Sequence, residues 1–389
     1  MTIIGIIAEY NPFHLGHSYH IREIRRVYGK DTGIIAIMSG NFTQRGDAAI
    51  FNKWSRAHAA LQGGVDLILE LPTVFAVSSA AYFAQAGVSL LEATGLVDVL
   101  SFGSELGEIA PLSAVCDCLC SDAYESALRL KLADGLSFAK AREMAVFSCI
   151  GVGSDCMRKA NNNLGIEYLC ALKKMQSKIE PSTVLRLGEH DSMESSTFSS
   201  ASYLRSQILS GNFDAVSEQI PDFDFLRTAD TASLAYCTRG VFTKLRTISD
   251  WSSLPDCDQE LAHRLSRAAG TSKNLDEFYA LVKTRRYTHA RIRRLVLWAF
   301  LGLTNRPETP LYLRVLGANE RGKKMLHQMK TTATLPIVTK PAHMRRLDED
   351  CRASFESEVQ STALYDLCRE NFGTTAGINE YTSHPVFQW

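Results

Sequence analysis

The chain has no apolar run of the roughly 18–20 residues needed to cross a bilayer, which argues against a membrane-spanning helix. It has no excess charge either: 42 Lys and Arg stand against 42 Asp and Glu. Total charge therefore neither invites nor excludes nucleic acid. There is no basic region ahead of the first apolar run, so a secretory signal is not expected and a cytoplasmic location follows. Internal repeats and low-complexity tails are also lacking. Ten cysteines are present, but no paired framework. Cys116, Cys118 and Cys120 in CDCLC form the one tight cluster. A zinc knuckle wants two residues between thiolates and a second pair elsewhere. Reduced thiols and no metal site are expected.

What is there is a regular alternation. TIIGIIAEY (2–10), TGIIAIMSG (32–40), VDLILELP (65–72), VDVLSFGSE (97–105) and STVLRLG (182–188) are short, β-branched, nearly continuous apolar runs. Such runs fit strands covered on both faces of a parallel sheet. Helical patterns separate them, with a long multi-helix crossover near 110–180. The fold class expected is a doubly wound, five-stranded, Rossmann-like α/β domain over 1–210, followed by a mainly α-helical domain over 211–389. Past Ser199 the strand pattern stops, LPIVTK (335–340) being the one short candidate. At 389 residues, two domains are the natural expectation. The first 210 residues carry 18 basic and 21 acidic side chains, the remainder 24 and 21, so the positive surface is placed in the second half.

Candidate chemistry collects at the carboxyl ends of the strands, where ligands of such sheets bind. In HLGH, His14 and His17 share one face of a helix expected to open there, and Gly16 lets a ligand near the backbone. A helix N-terminus with two imidazoles suits a phosphate. Two other readings stay open: a helix start with incidental histidines, and a metal site in which His20 extends the run to HxxHxxH. The loop after the second strand brings Gln44, Arg45, Asp47, Lys53 and Arg56, a set suited to an anion or an acyl carboxylate, or to a solvated surface. Gly103 in FGSE could lie against a base or simply turn the chain. Asn161, Asn162 and Asn163 could cap a helix or face a nucleoside. Arg186, followed by His190 and Asp191, could meet a phosphate or pair with a carboxylate. In SSASYLR, Ser200 opens a second helix with Arg205 one turn on, a second anion-binding terminus. Two termini framing one crevice favour a triphosphate.

Together HLGH, SSASYLR and the five-strand pattern resemble the nucleotidyltransferase superfamily. The longer strings GIIAEYNPFHLGH, MSGNFTQRGDAAIFNKWSRAHAAL, VDLILELP, FGSE, NNNLGIEYL, RRYTHARIRRL and LPIVTK resemble the bacterial tRNA(Met) cytidine acetate ligases over most of the chain. Asn163, Ala48 and the short LGEHD string after Arg186 depart from that family's pattern. The resemblance implies ATP-dependent activation of acetate as acetyl-adenylate, then transfer to the exocyclic amine of the wobble cytidine of elongator tRNA(Met). It implies ATP contacts along Ile7, Ala8, Glu9, Tyr10, Asn11, Pro12, Phe13, His14, Leu15, Gly16, His17, Ser18, Tyr19 and His20, and at Gly103, Asn162 and Arg186. Ser200 and Arg205 join them as phosphate ligands, with His14, His17 and Lys53 as the catalytic, charge-stabilising groups. Mg²⁺ would be carried by ATP itself.

The basic stretch KTRRYTHARIRRL supplies Lys283, Arg285, Arg286, Arg291, Arg293 and Arg294 for tRNA, with Tyr287 and His289 interleaved for stacking. A solvated cationic helix face is the plainer reading. No protein partner is implied. Two rival functions remain: a small-molecule adenylyltransferase of the same superfamily, and a tRNA-binding protein with a decayed nucleotide site.

Overall fold

The structure, a computed structural model, describes residues 1–151, 154–187, 198–373 and 377–388. The elements run β1 (Ile3–Ala8), α1 (Leu15–Tyr28), β2 (Gly33–Ser39), a small hairpin of β3 (Phe42–Thr43) and β4 (Asp47–Ala48), α2 (Lys53–Gln62), β5 (Leu67–Leu71), α3 (Thr73–Ala76), α4 (Ala80–Thr94) and β6 (Val99–Ser104). The crossover that follows holds α5 (Ile109–Leu119), α6 (Asp122–Ala133), α7 (Phe138–Ile150) and α8 (Ala160–Lys174) before β7 (Glu180–Leu185). Helices then dominate: α9 (Ala201–Leu209), α10 (Phe223–Arg227), α11 (Thr238–Thr247), α12 (Gln259–Thr271), α13 (Leu275–Val282) and α14 (His289–Leu301). The chain closes with β8 (Leu313–Ala318), α15 (Glu320–Thr332), β9 (Ile337–Val338), α16 (Glu349–Asp366) and β10 (Val386–Phe387).

The five expected strands are all present and mutually parallel, in the order β5-β2-β1-β6-β7. Their side chains split between two cores with the period of two that a strand imposes. Ile3, Ile7, Ile35 and Ile37 join the core under α4 and α8. Ile4, Ile6, Ile34 and Ala36 join the one under α1 and α2. Both faces are dry along β1, β2, β5 and β6, which is why those runs read as continuous apolar strings, while β7 is only partly covered. The order reverses direction between β1 and β6, and a crevice opens there, past their carboxyl ends.

Two strands beyond Ser199 were not expected. Leu313–Ala318 is wholly buried and pairs antiparallel with β5, so the sheet continues into the last quarter of the chain. β10 extends it again, parallel to β8. LPIVTK does provide a strand, β9, beside β8. Among the described residues, no helix is long and apolar enough to cross a membrane.

Candidate active site

The turn from β1 into α1 builds the site. Tyr10 takes a left-handed backbone (φ 47°) and the Asn11–Pro12 bond is cis. The helix begins at Leu15, with His14 as its N-cap in extended conformation rather than as a residue of its first turn. His14 Nδ1 accepts from the Gly16 N–H at 3.0 Å, and His17 Nδ1 accepts from the His14 N–H at 3.2 Å. This is a capping box made of two histidines.

The chemical consequence lies in the tautomer. A ring nitrogen that accepts from a backbone N–H presents its lone pair, so the proton of each neutral imidazole sits on Nε2. Both rings are thereby set as Nε2–H donors. They lie 3.9 Å apart, centroid to centroid, and His17 is backed edge-on by Tyr10. Burial, then the Arg186 guanidinium, holds His14 far below its ordinary value, at about 3, and His20 at about 4. Burial likewise holds His17 well below it, helped by His14 and Arg186. At neutral pH all three are uncharged, and His20 Nε2 shares a 2.8 Å hydrogen bond with Ser101 Oγ.

His14, Gly16, His17, His20, Gly103 and Arg186 line one crevice, together with Tyr19 and Ser199. Gly103 has a positional reason: a Cβ there would come within 3.1 Å of Arg186 Cγ. Ser199 brings the start of α9 to the same crevice as the N-terminus of α1. Ser200 caps α9 by accepting from the Tyr203 N–H. Arg205 donates to the Asn11 carbonyl at 2.7 Å and to Ser202 Oγ, which also accepts from Arg45. Arg205 thus ties the second terminus to the β1–α1 turn. His190 and Asp191 lie outside the described residues.

Several expected contacts fall elsewhere. Lys53 is entirely buried, its Nζ 2.6 Å from Glu70 and 2.7 Å from Glu380. It does not line the crevice. Arg56 is also buried and donates to the carbonyls of Phe51, Glu9, Ser39 and Gly40. Asn162 is buried too: its Oδ1 accepts from the Glu105 N–H, while Glu105 accepts from the backbones of Asn161 and Asn162. Glu105, which sequence reasoning passed over, accepts from the first turn of α8, where the asparagines were read as either a cap or nucleoside contacts. Ile7, Tyr10 and Phe13 are core residues beneath the turn, and Asn11 Oδ1 accepts from the Ile50 N–H. Glu9 accepts from the Gln44 N–H.

A second cleft, beside Arg25, Asp66, Asn319 and Arg321, is a brace rather than a reaction centre. Asp66 there accepts from the Ile34 N–H, Arg25, Asn319 and Arg321 at once.

The basic stretch divides. Lys283 and Arg285 are exposed and have no side-chain partner among the described residues. Arg286 pairs with Glu260, and Arg291 with Asp258 and the Asp256 carbonyl. Arg294 leans on the Gln44 carbonyl at 3.5 Å. Arg293 packs on Gly46, whose positive φ of 82° and close neighbours leave no room for a side chain. Tyr287 is buried and bonded to Asp258, so it is not available for stacking as expected. The start of α14 therefore abuts the β3–β4 hairpin, next to Arg45 and Arg205.

With this geometry in view, the likeness to known proteins becomes specific. The profile of the HIGH Nucleotidyl Transferase family matches residues 1–378. A tRNA(Met) cytidine acetate ligase of Thermoanaerobacter sp. (strain X514) is 37% identical over the full length of both chains. That of Caldanaerobacter subterraneus subsp. tengcongensis is 38% identical over 96% of each. The chain belongs to the tRNA(Met) cytidine acetate ligase family. Thermotoga maritima TmcAL, solved with alpha-thio ATP, superposes with a TM-score of 0.91 at 31% identity, covering 100% of this chain and 99% of that one. The apo form of that protein gives 0.93. The expected family and fold class are both borne out.

The buried neutral histidines have a consequence for stability. Unfolding releases imidazoles with an ordinary value of 6.5. Below that pH the unfolded chain binds protons that the folded chain does not, so stability falls as pH drops from about 6.5 towards the folded values. The loss reaches up to about 1.4 kcal/mol per pH unit for each histidine. Thermal unfolding of the nucleotide-free protein should move to lower temperature between pH 7 and pH 5, and less steeply in His20→Asn. An identical pH profile in that variant would remove His20 from the account.

Proposed function

We infer that this protein is an ATP-dependent tRNA(Met) cytidine acetate ligase. It joins acetate to the exocyclic amine of the wobble cytidine of elongator tRNA(Met) by way of acetyl-adenylate. The observation that carries the reading is the pair of imidazoles, each fixed as an Nε2–H donor, in one crevice with Arg186.

The chemistry asks for little more. Acetate is a poor electrophile, and adenylation converts one carboxylate oxygen into part of a leaving group. The carboxylate attacks the α-phosphorus and pyrophosphate leaves with the bond electrons. No proton need move. What the step needs is donors aimed at the charge that builds on the phosphates. Neutral Nε2–H groups and the Arg186 guanidinium supply these without holding a bound metal. Among the described residues, no carboxylate lines the crevice, so any Mg²⁺ would be held mainly by ATP itself. In the second step the cytidine amine attacks the acetyl carbon, AMP departs with the electrons of the C–O bond, and the nitrogen gives up one proton to solvent. An anticodon base already lies in a loop, so presenting it costs less than extrusion from a duplex.

Lys283 and Arg285 are the groups we assign to tRNA phosphates, with Arg45, Arg205 and Arg293 continuing the cationic surface towards the crevice. Arg286, Arg291 and Arg294 serve mainly to hold this surface in place, because each already has a protein partner. Replacing Lys283 and Arg285 together by Ala should make the salt dependence of tRNA affinity shallower by about 1.4–1.8 in the log–log slope. An unchanged slope would take both residues out of the contact.

The deciding assay combines ATP, labelled acetate and unmodified tRNA(Met) transcript, followed by digestion of the RNA. Label in acetylcytidine is expected. ATP turnover that needs a different acceptor would favour a small-molecule adenylyltransferase.

A further inference from the structure

Cys116 lies in the last turn of α5, and Cys120 is its C-cap, four residues on. Spacing of four puts both thiols on one face. That face packs on α8, which supplies Cys170. The three Sγ atoms all lie within 4.8 Å of one another. All three are free thiols; Cys116 and Cys170 are buried and Cys120 is exposed. The group stands apart from the phosphate crevice and takes no part in the proposed reaction.

We propose that Cys116, Cys120 and Cys170 form a binding site for a thiophilic divalent cation, Zn²⁺ being the representative case. Thiolates around tetrahedral zinc lie about 2.3 Å from the metal, which sets their mutual spacing near 3.8 Å. Closing from the present separation asks for a movement of about 1 Å or less, within the reach of side-chain rotation. Sulfur-only ligation selects such ions over Mg²⁺ or Ca²⁺. The exposed side at Cys120 provides both an entry path and room for water as the fourth ligand. Binding forms three metal–sulfur bonds and releases three protons to solvent, with no change of oxidation state. The resulting site carries one negative charge. Lys173, on α8 near Cys116 and Cys120, is already paired with Asp117.

The fragment spacing CDCLC hides this site because its third member is fifty residues away. Occupied, the site would clamp α5 to α8. The N-terminus of α8 is held by Glu105, directly after β6, so the clamp would stiffen a wall behind the nucleotide crevice.

The test uses the full-length protein, stripped by chelator under reducing conditions and titrated with Co²⁺ as an optical probe, then with Zn²⁺. We expect one equivalent of Co²⁺ to give a thiolate-to-metal charge-transfer band in the near ultraviolet, lost when Zn²⁺ is added. Cys120→Ser and Cys170→Ser should each weaken binding at least about tenfold, the loss that even an outer partner's removal can bring. Cys257→Ser should leave it unchanged. Cys120 is exposed, so its variant decides the matter should Cys170→Ser fail to fold. Absence of the band, or a band that survives Cys120→Ser at full strength, overturns the proposal.

Discussion

His17→Ala should lower acetate-dependent exchange of pyrophosphate into ATP by about 10²–10³-fold, the usual cost of one donor that serves the transition state. Most of the loss should appear in kcat rather than in the KM for ATP, because the donor meets charge that builds as pyrophosphate leaves. His14 requires a more careful comparison. Its Nδ1 caps α1, which leaves Nε2–H as the remaining donor of a ring that lines the crevice. His14→Ala removes both functions and should cost about 0.5–2 kcal/mol of stability besides the activity. His14→Asn keeps an acceptor for the cap but cannot place a donor as far out as Nε2. It should therefore match His14→Ala in lost exchange and approach the wild type in unfolding temperature. Exchange restored along with stability in His14→Asn would mean that the ring acts only as a cap. Tyr10 and Phe13 support the pair from behind, so a further sign of the same geometry is that tRNA affinity stays close to wild type in all three variants.

What the sequence made legible was whatever depends on local pattern. Five parallel strands and the helices between them follow from apolar runs bounded by glycines and polar turns. The two helix termini that frame the crevice also follow, because HLGH and SSASYLR carry their capping residues within a few positions. What stayed hidden depends on partners far along the chain. β8 reads poorly as a strand because Arg314 interrupts its apolar run, yet that arginine is buried against Glu380. Lys53 reads as an exposed loop cation because Glu380, more than three hundred residues on, is out of any local window. Asn162 left both a capping and a ligand role open because Glu105, which accepts from its backbone N–H, lies three helices back along the chain. Cys170 was separated from its neighbours for the same reason. Local periodicity assumes that a charge faces water, and each of these charges or polar groups instead faces a distant partner.

The clearest instance is also the largest effect expected on stability. Lys53 on α2, Glu70 on β5, Arg314 on β8 and Glu380 form a continuous buried ion cluster. Glu358 on α16 stands beside it and accepts from the Thr73 N–H at 2.7 Å. Burial and the charge of Glu70 push Glu358 up to about 8. The cluster itself sets two cations, Lys53 and Arg314, against two carboxylates, Glu70 and Glu380. Lys53 is held above its ordinary value by Glu380 and Glu70 in spite of its burial. Lys53→Met would fill the same space but leave Glu70 and Glu380 with Arg314 as their one cation. The expected cost is about 3–5 kcal/mol, the range for stranding one side of a buried pair. A double variant, Lys53→Met with Glu70→Gln, restores neutrality and should recover a large part of that loss, since removing both charges of such a pair is often nearly neutral. Denaturant unfolding of the three proteins measures this directly. Acetate-dependent exchange per folded molecule separates the two roles Lys53 could have. Near-normal exchange in the double variant places this lysine in the scaffold. A deficit of 10²-fold or more in a well-folded double variant would return it to the reaction.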